Sequence, residues 1–242
     1  GLYRDTYDGF EADVAKVLVS IETGLDEEFR LLEHNRIFID RTRGCCPISA
    51  EDAVSWGWTG PCLRAAGVDR DLRKDEPYSG YETYEFETIL GTTGDTYDRL
   101  LVRMYEMKES LSICRQALSR LKPGPVNTTD ARLILPGHDK AYHDMEALIN
   151  HFKIVYEGVR PPAGEFYNGI EAANGELGFF IVSDGTGKPW KIKVRPPCFT
   201  QFAAYAEKLV AVFAGPTGGL NTTLLPPGGD FGHGDHPGID CT

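Results

Sequence analysis

Residues Asp95–Leu121 read DTYDRLLVRMYEMKESLSICRQALSRL. Tyr97, Leu100, Met104, Met107, Leu111, Cys114, Leu118 and Leu121 recur at alternating spacings of three and four. This is a seven-residue apolar repeat sustained over more than three heptads. At 1.5 Å per residue such a helix is about 40 Å long, enough to cross a domain. Lys122-Pro123-Gly124-Pro125 then stops it, because proline cannot continue a helix. The repeat suits a coiled coil or, more simply, an antiparallel helix bundle within one domain. The fold expected from it is mainly α.

The flanks extend that expectation. Toward the N-terminus, Phe10, Val14, Val17, Leu18 and Ile21 have helical spacing over residues 8–22, with Gly24 as a stop. Leu25, Phe29 and Leu32 predict a second helix, with acids Asp26, Glu27 and Glu28 in its first turn. Ile37-Phe38-Ile39 reads as a short buried run, and residues 40–48 as a loop. Ser49-x-x-Asp52 is a capping-box variant that opens a short helix ending at Gly57. Glu82–Leu90 alternates imperfectly and suggests a strand.

Toward the C-terminus, a loop over residues 122–139 precedes an amphipathic helix over residues 140–157. Its expected buried face is Met145, Leu148, Ile149, Phe152, Val155 and Tyr156, with Gly158 as the cap. A small β portion follows. Leu177–Ser183 is apolar on both faces, Asp184-Gly185-Thr186-Gly187 is a turn, and Trp190, Ile192 and Val194 alternate with Lys191, Lys193 and Arg195. That last strand predicts one buried and one basic face. A final helix is expected over residues 199–214, with Phe199, Phe202, Ala206, Leu209, Val210 and Phe213 on one side. The domain is therefore expected to span residues 1–214. Residues 215–242 are a Gly- and Pro-rich tail.

Composition narrows the function. A net charge of -11 opposes nucleic-acid binding, which depends on neutralising phosphates. No apolar run approaches the roughly 20 residues of a spanning helix. The six cysteines include no C-x-x-C pair, so zinc, iron–sulfur and redox-dithiol readings lack support. Reduced, structural thiols are the expectation. No G-x-G-x-x-G opens a helix after a strand, so direct NAD binding by this chain is unsupported. His233, Asp235, His236 and Asp240 cluster in the tail, without the rigid frame a metal site needs. His143 and His151 read as two turns apart on one helix. His151, at the flank of the apolar face, is either a boundary histidine or a proton-handling group at a subunit interface.

The densest polar chemistry lies in Gly57–Glu87, GWTGPCLRAAGVDRDLRKDEPYSGYETYEFE. Glycines punctuate it, Arg64, Arg70, Arg73 and Lys74 alternate with acids, and Tyr78, Tyr81 and Tyr84 carry apolar bodies with polar tips. Such a stretch fits a loop pressed against a partner or ligand. Local salt bridges to Asp71, Asp75 and Glu76 are the simpler account of the same cations.

These residues carry a resemblance. Gly60-Pro61-Cys62-Leu63-Arg64-Ala65-Ala66-Gly67 and Asp71-Leu72-Arg73-Lys74-Asp75-Glu76-Pro77-Tyr78 resemble the D subunit of the proton-translocating NADH:quinone oxidoreductase, respiratory complex I. Asn35–Thr42, Gly94–Arg99, Met145–Lys153, Arg160–Glu165, Gly175–Phe179, Val182–Gly185 and Arg195–Pro197 extend the similarity in order. The resemblance implies a helix bundle like the nickel–iron hydrogenase large subunit, without its metal site. It also implies a subunit of the peripheral arm, on the cytoplasmic side of a bacterial-type inner membrane or the matrix side in mitochondria. Its partners would be the cluster-bearing and other peripheral-arm subunits, quinone and, through the complex, the membrane arm.

The resemblance further implies that quinone is reduced at an interface, with NADH and iron–sulfur clusters on partner subunits and no cofactor bound by this chain alone. The interface candidates are Arg64, Arg73, Lys74, Tyr78, Tyr81 and His151. The family's proposed quinone-head ligands lie in an N-terminal region without counterpart here, and the last residues depart from the family's ending. The chain is therefore expected to act within a complex and to be inactive alone. A non-catalytic scaffold and a hydrogenase large-subunit relative are the alternatives, the latter opposed by the missing C-x-x-C pairs.

Overall fold

The computed structural model describes residues 5–130 and 132–204. Its centre is a pair of antiparallel helices, α1 (Phe10–Leu32) and α6 (Thr96–Ser119). Leu18 and Leu25 of α1 bury against Leu111 of α6. Polar pairs fix the register: Arg115 with Glu22, Lys108 with Asp26, and Tyr105 donating to Glu33 at 2.6 Å. The heptad reading thus resolves as a bundle rather than a coiled coil. Met107 and Cys114 of the repeat are exposed, and Tyr97, Val102, Met104 and Leu111 carry the burial.

Three expectations in the helical part are corrected. Gly24 does not stop a helix; α1 runs through it. An interior glycine costs roughly 1 kcal/mol relative to alanine, which the burial of Leu18, Leu25 and Phe29 on either side offsets. Val17 and Ile21, counted on the packed face, are exposed. Ile37-Phe38-Ile39 is not a buried run but part of α2 (Arg36–Thr42), started by the Asn35 side chain accepting from the backbone of Ile37 and Phe38. Ser49 does cap α3 (Ala50–Ser55), accepting from Asp52 N at 3.0 Å.

Glu82–Leu90 is not a strand. A 3-10 turn spans Tyr81–Thr83, and the extended chain beyond it lies along α6. Its backbone groups are satisfied by side chains there: Glu85 N donates to Gln116, Gln116 Nε2 donates to Glu85 O, and Glu87 N donates to Glu109. Two short helices, α4 (Pro61–Ala65) and α5 (Leu72–Asp75), form inside the glycine-punctuated stretch. All five residues of α4 are buried.

The long amphipathic helix expected over residues 140–157 is two helices, α7 (His138–His143) and α8 (Met145–Tyr156). Asp144 is extended between them and caps α8 by accepting from Glu146 N. His143 and His151 are therefore not on one helix. The face Met145, Leu148, Ile149, Phe152, Val155 and Tyr156 is exposed rather than buried. Gly158 ends α8 in the left-handed region at φ 76°.

Three antiparallel strands complete the fold, β1 (Gly164–Ala172), β2 (Gly175–Ser183) and β3 (Lys191–Arg195), in that order across the sheet. The register puts Phe166 opposite Ile181, Ile170 opposite Leu177, and Val194 opposite Phe179. These residues share one face, and Phe166, Ile170, Phe179, Ile192 and Val194 on it are exposed. The expectation for β3 is inverted: its apolar face points outward, and Arg195 from its basic face reaches inward. The reason is that the inner face docks through polar groups. Arg195 donates to the carbonyls of Gly57 and Glu176, and Glu176 N donates to Thr59 Oγ1. The fit is tight where the β1–β2 hairpin meets Gly60: a Cβ there would lie 2.3 Å from Gly175 Cα.

The last described helix is α9 (Pro197–Ala203). Phe199 and Phe202 are exposed. The expected continuation through Ala206, Leu209, Val210 and Phe213, the tail with His233, Asp235, His236 and Asp240, and Cys241 lie outside the described residues.

Candidate functional site

The polar stretch folds around one buried guanidinium. Gly60 has φ 70°, which turns the chain so that Pro61 begins α4. The turn carries Arg64 beneath α5, where its side chain is 1% exposed. Arg64 Nε donates to Glu106 of α6 at 2.6 Å, and Nη1 donates to Glu171 of β1 and to the Arg70 carbonyl, both at 2.9 Å. Asp71 approaches Nη1 at 3.9 Å. One side chain thus ties α4, α5, α6 and β1 together.

Asp71 caps α5 by accepting from Arg73 N, and its two oxygens take the Arg73 fork, from Nε at 2.9 Å and from Nη2 at 2.6 Å. Bidentate geometry of this kind is both strong and directional. The node contains two guanidinium groups and three carboxylates, so its members oppose one another. Burial works against the Asp71 anion, but the Arg73 and Arg64 charges overcome it and hold its carboxyl below the usual range. Burial dominates at Glu171 and raises its carboxyl, with the Arg64 charge acting the other way. Arg64 is lowered by burial and raised more by Glu106, Glu171 and Asp71, so its charge is locked in.

An aromatic row lies over this node. Tyr78 and Tyr81 meet edge to face at 5.1 Å, and Tyr81 also meets Tyr84 and Phe86. The Arg73 guanidinium and the Lys74 ammonium sit over the Phe86 ring at 4.9 and 5.0 Å. Glu171 N donates to Tyr78 Oη at 2.9 Å, which ties the row to the node. Burial raises the Tyr78 phenol above its ordinary value, so it keeps its proton at neutral pH. With an oxygen lone pair taken by Glu171 N–H, the Tyr78 hydroxyl is held in a fixed orientation.

Five of the six candidates, Arg64, Arg73, Lys74, Tyr78 and Tyr81, therefore come together. His151 does not. It is half-buried on α8, which packs chiefly against α7. A cleft along α8, lined by Asp130, Arg132, Asn150, Lys153 and Arg160, includes none of the six. Sequence reading anticipated Asp71 as a local partner but missed Glu106 and Glu171. Glu106 is an acid flanked by helix-forming residues, indistinguishable by type from Glu109 one turn on, which does not reach the node. Glu171 stands 107 residues from Arg64, and no local pattern links them.

A second polar contact lies beside the core of Ile48, Ala53, Trp58, Cys62, Leu63 and Ala204. Arg103 Nη2 donates to Cys62 Sγ at 3.4 Å. Burial raises this thiol more than the Arg103 and Arg99 charges lower it, consistent with an inert structural cysteine. Among the described residues, no group of three or more His, Cys, Asp or Glu side chains is arranged to hold a metal ion. No helix among them is long and apolar enough to cross a membrane.

The described residues are mainly helical with a three-stranded sheet, and the Arg64 node sits where the two meet. Residues 1–212 match the family described as the respiratory-chain NADH dehydrogenase, 49 Kd subunit, and the chain belongs to that family. It is 50% identical over 204 residues to the D subunit of the NADH-quinone oxidoreductase of Geobacter sulfurreducens, covering 84% of this chain and 52% of that protein. It is 45% identical over 207 residues to the D subunit of the Leptospira biflexa oxidoreductase, covering 86% and 51%. Against the C/D subunit of the Bdellovibrio bacteriovorus oxidoreductase it is 45% identical over 205 residues, 85% of this chain and 37% of that protein. The chain spans about half the length of the Geobacter and Leptospira relatives it matches.

Proposed function

We propose that this chain works as a peripheral-arm subunit of a membrane-associated NADH:quinone oxidoreductase. In that role it forms part of the quinone-reduction chamber against the subunit that carries the terminal iron–sulfur cluster. NADH and the clusters are bound by partner subunits, the membrane arm is joined through the complex, and quinone reduction is coupled to proton translocation. The side of the membrane is the cytoplasmic face, or the matrix face in a mitochondrion. The observation that carries this reading is the ridge of Arg73, Lys74, Tyr78 and Tyr81 held over the Arg64 node, in a chain of this family.

The ridge suits an amphipathic, electron-accepting ligand. Aromatic edges accommodate an apolar ring system, and fixed cations stabilise negative charge developing on a reduced quinone or cluster. Arg64 acts as the anchor of this ridge and not as a ligand contact, since it is buried and its Nε and Nη1 donors are committed. Arg73 is the electrostatic contributor through its charge rather than as a direct contact, since its Nε and Nη2 donors are held by Asp71. In the assembled complex, Arg73→Ala should lower NADH:quinone reductase activity about tenfold or more, the scale of losing one preorganised charge partner. Electron transfer from NADH to an artificial acceptor should be unchanged. Unaltered quinone reduction in a normally assembled complex would remove the role assigned to Arg73.

The outward apolar faces of the sheet and of α8 support a second reading, a scaffold that only holds other subunits of the same complex. Capture of the cluster-bearing subunit with and without a quinone analogue separates the two. Binding that is indifferent to the analogue favours the scaffold.

A further inference from the structure

We propose that the cleft along α8 binds a phosphomonoester that carries an apolar body. The cleft has a volume of about 490 Å3, the size of a small-molecule site. It lies between the C-terminal half of α8, the chain that follows it, and the segment bearing Asp130, Arg132 and Leu133. Three cations, Arg132, Lys153 and Arg160, line it against two carboxylates, Asp130 and Glu157. The whole chain carries a net charge of -11, so this excess of positive charge is local. Such a spot draws in an anion that most of the surface repels.

The walls are built before any ligand arrives. Asp130 accepts from Arg132 N at 3.0 Å, and Leu133 N donates to the Asp130 carbonyl at 3.0 Å, which closes a turn at one wall. At the other wall, Gly158 turns the chain at φ 76°, and a Cβ there would lie 3.1 Å from the Gly187 carbonyl oxygen. The connection between β2 and β3 is thus packed against the end of α8, next to Val159 and Arg160 of the cleft. Preformed walls reduce the ordering cost of binding.

The side chains select the ligand class. Arg132 donates to Asp130 from Nε at 3.0 Å and from Nη2 at 2.6 Å, and Arg160 Nη2 donates to Glu157 at 2.7 Å. These arginine side chains are 87% and 63% exposed. Exposed pairs contribute little, so each arginine can turn part of its fork to a phosphate at small cost. A phosphomonoester offers three acceptor oxygens and close to two negative charges at pH 7. That is enough for Lys153 and both arginines together, where a carboxylate has only two oxygens. Leu133, Ile154 and Val159 line the same cleft and give an apolar body its surface. The carbonyl end of α8 opposes an anion, but weakly at an exposed site, and a charge-assisted bond from lysine or arginine outweighs it.

The test is calorimetric titration of the full chain with inorganic phosphate, octyl phosphate, phenyl phosphate and octanol. One-to-one binding of a phosphate ester is expected, tighter than that of inorganic phosphate and strengthening from pH 5.5 to pH 7.5 as the second phosphate proton leaves near pH 6. Preference for octyl phosphate identifies a lipid source; preference for phenyl phosphate identifies a soluble aromatic phosphate. Lys153→Ala, Arg132→Ala and Arg160→Ala should each weaken ester binding about tenfold or more, the worth of one charge-assisted bond. Leu133→Asn should weaken the esters and leave inorganic phosphate unchanged. Lys16→Ala, a charge control on α1, should change nothing. Circular dichroism matched to the parent shows that each loss is local. Affinity unchanged in the three cation variants overturns the proposal. So does an equal loss in Lys16→Ala, octanol binding as tightly as octyl phosphate, or inorganic phosphate binding as tightly as both esters. None of these readouts depends on quinone chemistry.

Discussion

Replacing Arg64 by leucine removes the one group that four elements share. Leucine fills much of the space but leaves Glu106, Glu171 and Asp71, previously 2.6, 2.9 and 3.9 Å from the guanidinium, without their common cation. Breaking a buried ion pair by deleting one partner costs about 3–5 kcal/mol. In a chain of this size that corresponds to a fall in melting temperature of roughly 6–20 °C. The deficit should depend on pH. At pH 7 the orphaned carboxylates are held as anions in a poorly solvated place; at pH 5 they take up protons more readily, so part of the loss is recovered. Urea unfolding followed by tryptophan fluorescence at both pH values measures this. Arg64→Lys supplies the control: the charge remains and the fork is lost, so its deficit should be smaller and less sensitive to pH. A deficit below about 1 kcal/mol at pH 7 for Arg64→Leu would show that the node is not a structural hub. An equal deficit at pH 5 would show that unpaired carboxylates are not its cause.

Other outcomes follow from the same structure. Glu171 has a raised carboxyl in the folded state, so its contribution is fully present below the unfolded value near 4.3 and is lost as pH rises through the folded value. Glu171→Gln, which keeps an acceptor for Arg64, should therefore gain stability relative to the parent between pH 5 and pH 7; a gap that is flat with pH contradicts the assignment. Asp71 has the opposite sign: its contribution is present above the unfolded value and fades on acidification, so Asp71→Asn should lose most at neutral pH and least in acid. Gly60→Ala places a Cβ against the Gly175 backbone at a residue with positive φ, and should cost about 1–3 kcal/mol by overpacking. Thermal melting at the parent temperature would refute that fit. Asp95→Ala removes the cap of α6 and the Gly44 contact, and should lower stability by about 1–2 kcal/mol, checked by urea midpoint.

Several features were legible in the residues and several were not, for physical reasons. α6 was readable because its apolar repeat and its proline stop agree. Ser49 was readable because capping is a contact between residues three apart. The Glu82–Leu90 segment was misread because strand and extended-chain-on-helix share the same local pattern; only the partners Gln116 and Glu109 tell them apart. The apolar residues of α8 and β3 were assigned to the interior because periodicity identifies a face but not what covers it. At the candidate site, the run of Arg64, Arg73, Lys74, Tyr78 and Tyr81 was visible as a cluster. What organises it, the long-range pairing of Arg64 with Glu106 and Glu171, depends on tertiary contact and leaves no local trace.

The outward sheet face has a practical consequence for anyone handling this polypeptide. Phe166, Ile170, Phe179, Ile192 and Val194 form a sticky plate, and an exposed apolar sheet face of this kind invites self-association. Purified on its own, the chain should self-associate with rising concentration and salt, as its net charge of -11 is screened. Yield in solution then depends on how soon the plate is covered after synthesis, which makes co-expression with the proposed partner subunits the rational route to soluble material.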